Sequence, residues 1–544
     1  MRGRWLDETD PWFRDSRRAA AVDGPGGAVS HSGSRGGSAA GARTPRERPA
    51  WIGVGWGLGV IMFIGAFVFA VTTTNDKIFG ALLIVPVLLA LAAMIARSIA
   101  KIDQDPTLVP IIVGGAVFKL VGSGVKYMVS FGVYNGLDAN TYDLAAQEGA
   151  KVYRGFELYD GWGKLSGTAF VRMINGLVYT VTPMSRIAGC LVFAFLAYLG
   201  TLLFWRAFKI AMPHLDDRAY LFWLVLLPSL LYWPSSIGKE AFLTLCIGAA
   251  SYGVANLLHG SAVRGALTLV PGFMGVIQVR PHLGLVIFSG LALATLLRKA
   301  TRPIASVILA GMVVTVGMFA VSRAASFFGL STFSYDSISE TLVDANERTE
   351  QGGSAFSPVS FSANPPLAAV TVLYRPLPIE AGSVLELLTS VESFVLFMLG
   401  FSRRQEIWAA VRSARTHPYT VYAIVSIFFF VVVFSVIGNF AILARQRTLI
   451  MPLYLSLMML PKPAGAPSRS RTAIGEVPVG LDAEPGRGGW IGSGGTRPTA
   501  WFSGGRAVRR GGERTPRRSP PARSRRPRRT RRAVKGRGSS PVPW

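Results

Sequence analysis

Lys239 and Glu240 interrupt an apolar run from Leu226 to Cys246, Leu-Leu-Pro-Ser-Leu-Leu-Tyr-Trp-Pro-Ser-Ser-Ile-Gly-Lys-Glu-Ala-Phe-Leu-Thr-Leu-Cys. Charges inside a hydrophobic stretch are expensive and usually functional, facing a bundle interior or a polar cavity rather than lipid. Similar isolated charges stand in Arg280-Pro281-His282, in Arg375-Pro-Leu-Pro-Ile-Glu380 and in Arg445-Gln-Arg447. Arginine and lysine donors suit a phosphate or pyrophosphate, arginine by bidentate contact. A carboxylate beside them suits a general base that activates a hydroxyl. Lys239, Arg280, His282, Arg375, Glu380, Arg445 and Arg447 are therefore candidate phosphate- or substrate-binding residues, and Asp138 and Glu240 are candidate catalytic carboxylates. A plainer alternative is that Lys239 and Glu240 only pair with each other at a helix end.

What must position these residues is a membrane body. The 544 residues are 50% hydrophobic and 16% charged, with a mean hydropathy of +0.38, outside the range of soluble globular chains. The formal charge of +27 is concentrated at the ends, and residues 462–537 alone hold 20 Lys/Arg against 4 Asp/Glu. The two cysteines, Cys190 and Cys246, lie in apolar segments, which argues against a disulfide framework. No His/Cys grouping has metal spacing and no glycine-rich loop has a nucleotide-binding context. Neither metal nor cofactor is indicated.

Apolar runs predict spans at 51–73, 79–96, 108–133, 187–208, 220–233, 241–258, 265–279, 283–297, 304–321, 384–401, 419–443 and 449–460. The expected fold is an all-α, polytopic helical bundle with about 10–12 transmembrane segments. Residues 1–50 and 461–544 are Arg-, Gly-, Ser- and Pro-rich and read as disordered basic ends flanking a transmembrane domain of 51–460. Basic residues at 97–101, 209–218, 264, 298–302 and 403–415 all fall on one side of this arrangement. That side is cytoplasmic by the positive-inside rule, which puts both termini inside and the long loops 134–186 and 322–383 outside. The singly placed candidates then collect on the outer face, with Arg445-Gln-Arg447 as the final outer turn. The basic tail is expected to meet anionic lipid headgroups. Nucleic acid is not an expected partner, because no aromatic reading platform accompanies the arginines.

The segments Asp138-Ala-Asn-Thr-Tyr142, Gly167-Thr-Ala-Phe170, Asn175-Gly-Leu-Val-Tyr179, Trp233-Pro-Ser-Ser-Ile-Gly-Lys-Glu240, Arg280-Pro-His282, Arg375-Pro-Leu-Pro-Ile-Glu380 and Arg445-Gln-Arg447 with Pro452 carry a resemblance. Together they resemble actinobacterial polytopic membrane proteins that are similar in layout to GT-C-type polyprenyl-phosphate-sugar glycosyltransferases and envelope-polysaccharide polymerases. The resemblance implies glycosyl transfer or polymerisation from an isoprenoid-phosphate-linked sugar at the outer face, with an acidic residue, Asp138 or Asp143, in the first large outer loop. It departs from the paired-acid pattern at Asp138, whose neighbour is Ala139. Two other functions use the same residues: a transporter or flippase for a lipid-linked or anionic solute, and a non-catalytic membrane assembly subunit.

Overall fold

In hydrocarbon every backbone N–H and C=O must be satisfied within the protein, and a continuous helix does so by itself. A computed structural model describes residues 76–134, 136–163, 165–297, scattered positions from 311 to 323, 354–412 and 417–460. The expected first span at 51–73, most of the span at 304–321, the helical segment expected near 337–350 and both basic ends lie outside these residues. The chain divides into units Met1–Ser468 and Arg469–Trp544, and every described residue belongs to the first.

The first helices are α1 (Asp76–Asp103), α2 (Leu108–Tyr127, continued by a π-helical turn, Met128–Val133), α3 (Leu137–Arg154), α4 (Thr168–Val181) and α5 (Arg186–Ala211). They are followed by α6 (Asp217–Leu226), α7 (Pro228–Tyr232), α8 (Lys239–His259), α9 (Ala262–Val279) and α10 (Pro281–Leu297). The C-terminal part holds α11 (Pro365–Tyr374), α12 (Val384–Ser402), α13 (Arg404–Arg412), α14 (Pro418–Phe434), α15 (Phe440–Arg447) and α16 (Met451–Met458). Among the described residues the β contact is a single bridge, Ala355 to Asn439. Five segments, α1, α2 with its extension, α5, α8 and α9, are long and apolar enough to cross a membrane. The protein is a multi-pass, all-α membrane protein.

The bundle is organised around α5 and α8. In each, 72% of the most apolar window is buried inside the protein, against 28% for α1, so α5 and α8 are central and α1 is peripheral among the described helices. Their backbones touch at glycines. A Cβ on Gly200 would stand 2.4 Å from Thr244 O, and one on Gly248 would stand 2.3 Å from Gly200 O. Helix α9 packs along α8, α10 pairs with α14, and α3 pairs with α4.

Three expected spans end differently. The run 220–233 is two helices, because Pro228 has no N–H to continue α6 and holds Leu227 in an extended conformation (φ −61°, ψ 119°). The broken segment is held from both sides: Lys119 Nζ on α2 donates to Leu230 O at 2.5 Å, and Glu392 on α12 accepts from Ser229 N–H at 2.7 Å. The run 419–443 stops at Phe434. Ser435 to Asn439 then turn the chain, and Asn439 caps α15 by accepting from Ile442 N–H at 3.1 Å. Arg445, Gln446 and Arg447 consequently lie on a helix rather than in a turn. The run 449–460 holds α16, with only eight helical residues, about 12 Å at 1.5 Å per residue and too short to cross. Within the two long expected loops the chain also forms helices: α3 and α4 in the first, α11 in the second.

At one end of α2, ion pairs tie α1, α5 and α6 together: Arg206 to Asp103 at 2.5 Å, Lys209 to Asp103 and to Asp217 at 3.1 Å each, and Arg218 to Asp105 at 2.6 Å. The candidate residues gather towards its other end.

Candidate functional site

The site begins where α8 begins. Gly238 precedes Lys239, and Glu240 lies in the first helical turn, where a carboxylate faces the partial positive charge of the helix N-terminus. Glu240 is 9% exposed, and its Oε1 collects the partners. Arg280 Nη2 donates to it at 2.9 Å, Gln446 Nε2 donates at 3.4 Å, and Arg445 Nε lies 3.2 Å away. That last contact is an ion pair without hydrogen-bond alignment, because Arg445 Nε is a buried donor with no hydrogen-bonded acceptor. A further bond joins Arg280 Nη1 to Gln446 Oε1. Glu240 thus turns to Arg280 and Arg445.

Each partner is placed by a local sequence feature. Arg280 sits between α9 and α10, where Pro281 opens the second helix and restricts Arg280 to an extended conformation (φ −145°, ψ 89°). The corner is reinforced from outside, as Gly167 N–H donates to Gln278 O at 2.8 Å. Arg445 and Gln446 are carried by α15. On α3, Tyr142 has the Arg172 guanidinium of α4 5.9 Å from its ring centroid. Arg172 Nε is another buried donor without an acceptor. His282 is the second residue of α10, two positions from Arg280, with its ring 5.9 Å from that of Phe434.

A second cluster forms around Arg375 and Glu380. Arg375 Nε donates to Glu380 Oε1 at 2.8 Å, Leu377 N–H donates to Oε2 at 2.8 Å, and the Arg375 guanidinium lies 4.8 and 5.1 Å from the ring centroids of Phe356 and Phe440. Burial alone would raise the Glu380 carboxyl, but the bonds from Arg375 and Leu377 outweigh it and hold the group below the usual carboxylate range. Arg447 is 1% exposed. It donates to Leu373 O at 2.8 Å, Arg375 O at 3.2 Å and Ser393 Oγ at 2.8 Å, fixing the backbone beneath this pair.

Of the candidates, Glu240, Arg280 and Arg445 meet in one cluster, and Lys239 and His282 stand beside it. Arg375 and Glu380 meet in the other, with Arg447 as its support. Position 138 lies on α3 one turn before Tyr142. Asp143 is fully buried and committed to structure: Arg186 Nε lies 2.6 Å away and Tyr179 Oη donates at 2.7 Å. Sequence reasoning passed over Lys126, Arg172 and Gln446. Lys126 had a legible signal, since Lys119, Ser123 and Lys126 are spaced i, i+4, i+7 along one face of an apolar helix.

Chemically, the Glu240 cluster has more cations than anions and more donors than acceptors, a set that suits an anionic group rich in acceptor oxygens. No family model matches the chain, and searches of curated proteins and of solved structures return no match.

Proposed function

We propose that this protein serves cell-envelope glycan assembly: glycosyl transfer or polymerisation from an isoprenoid-phosphate-linked sugar at the outer face of the cytoplasmic membrane. The observation that carries the reading is the Glu240–Arg280–Arg445 cluster at the end of an apolar bundle, with the Nε of Arg445 and of Arg172 buried and without acceptors. Phosphate oxygens would supply those acceptors while the carrier chain lies among the helices. In this reading Glu240, with Oε1 already engaged, positions the two guanidiniums. Activation of the acceptor hydroxyl falls to Asp138, on α3, the helix that also carries Tyr142 against Arg172. The Arg375–Glu380 pair borders the same outer face and contacts the sugar or acceptor.

A second reading, a transporter or flippase for a lipid-linked anion, is favoured by the break between α6 and α7, held by Lys119 and Glu392 from two other helices. Interrupted helices of this kind line substrate paths in transporters. Purified full-length protein in liposomes with radiolabelled polyprenyl-linked sugars separates the two. Transfer of label to an acceptor, lost in Arg280→Ala, supports the enzyme. Transbilayer movement without transfer replaces it with the transporter, and neither outcome leaves a non-catalytic assembly subunit.

A further inference from the structure

Lys126 lies on α2, one helical face along from Lys119 and Ser123. Its ammonium sits 4.3 Å from the ring centroid of Tyr232 and 4.6 Å from that of Trp233. The two rings face each other edge-on at 5.2 Å between centroids and make a floor that fixes the lysine by cation–π attraction. Tyr232 and Trp233 lie eight and seven residues ahead of Glu240 on the segment that leads into α8, so the ammonium they hold stands on the approach to the cluster, in the field of Arg445 and Glu240. Tyr232 adds a buried hydroxyl with no hydrogen-bond partner.

The charge balance around Glu240 is then uneven. Glu240 offsets one of three cations, Arg280, Arg445 and Lys126, and two positive charges stay in excess in a partly buried, low-dielectric setting. Lys239, next to Glu240 in the first turn of α8, adds to the same field. A ligand with one negative charge leaves part of this excess unbalanced, whereas one with two negative charges offsets it.

Resting on the reading that the cluster holds the phosphate group of a carrier, we propose that Lys126 is its third cationic arm and makes the site prefer a diphosphate-linked group over a phosphodiester. The phosphodiester of a lipid monophosphate sugar carries one charge, while the diphosphate diester of a lipid diphosphate sugar carries two. The shared chemistry is the diphosphate, either as a lipid headgroup or as the free anion.

The test uses the full chain in nanodiscs of zwitterionic lipid and three probes: a dialkyl phosphodiester, a P1,P2-dialkyl diphosphate and inorganic diphosphate. Affinities are read from the concentration dependence of the thermal unfolding midpoint. Wild type is expected to bind the dialkyl diphosphate about tenfold or more tighter than the phosphodiester. Lys126→Met is expected to lose that preference while keeping phosphodiester affinity within about twofold, and Lys126→Arg to retain it. Equal affinity of wild type for the two lipids overturns the proposal. So does a Lys126→Met protein that keeps the preference, or that loses both affinities together, which marks a merely structural lysine. Inorganic diphosphate binding as tightly as the lipid assigns the site to a free anion and weak binding assigns it to a headgroup; either keeps the role of Lys126. Failure of glycosyl transfer in liposomes, with the charge preference intact, removes the enzyme reading alone.

Discussion

Arg280 donates to Glu240 at 2.9 Å although 40 residues separate them in sequence. The contact joins the corner between α9 and α10 to the first turn of α8, and Arg445 and Gln446 bring α15 to the same oxygen. Removing an acid from such a group leaves buried cations facing one another, so the Glu240 cluster helps to hold these helices together.

Glu240→Ala is expected to lower stability by about 3–5 kcal/mol, the usual consequence of stranding the partner of a buried ion pair. Glu240→Gln keeps an acceptor for Arg280 and should cost less. Arg218→Ala, at an exposed pair with Asp105, serves as the control and should be silent. Thermal unfolding in detergent checks all three. A Glu240→Ala protein that melts with the Arg218→Ala control would mean that the cluster contributes nothing to the fold.

Gly200→Ala should destabilise by roughly 1–3 kcal/mol, because the new methyl meets backbone atoms of α8 that have nowhere to go. At Gly114, on α2, an added Cβ meets nothing within 4 Å. Gly114→Ala should therefore be neutral or stabilising by up to about 1 kcal/mol, through helix propensity alone. Opposite signs for the two variants in one unfolding assay are the expected result, and equal shifts would contradict the close approach of α5 and α8.

Glu380 supplies a pH dependence with a definite sign. Its folded value is lowered, so its contribution is fully present above the unfolded carboxylate value of about 4.3 and is lost as pH falls through the folded value. Hydrogen exchange in residues 375–383, corrected for intrinsic rates, should rise on acidification below that value. Glu380→Gln should exchange faster at neutral pH and respond less to acid. An unchanged response in Glu380→Gln would assign the acid sensitivity elsewhere.

The proposed sidedness has a direct test, since the two native cysteines are buried and leave the background clean. Leu158 is 95% exposed, and Leu158→Cys should react with an impermeant maleimide on intact cells. Arg404 is also exposed, and Arg404→Cys should react only after permeabilisation. The reverse pattern inverts the topology.

Much of this architecture was legible because hydrocarbon imposes one solution on long apolar runs, and the cores of α1, α2, α5, α8, α9 and α12 fall where hydropathy puts them. What hydropathy misread were interruptions. Pro228 splits a run whose average still looks continuous, and Ser435 to Asn439 divide another with residues that are polar one at a time. The joining of Glu240 to Arg280 followed from the cost of isolated charges near hydrocarbon, whereas that argument placed Arg375, not Arg445, beside them. The separate pairing of Arg375 with Glu380 did not follow, because a partner five residues away satisfies that cost locally. Lys126 escaped because a single lysine barely lowers the mean hydropathy of its segment, although its spacing from Lys119 was informative.

Helix α15 is short, with eight residues from Phe440 to Arg447, and both of its arginines are engaged. Arg445 faces Glu240, while Arg447, two residues on, grips the carbonyls beneath Arg375. The same eight residues therefore carry one guanidinium to the first turn of α8 and the other to the backbone that bears Arg375, so the two clusters share one piece of chain.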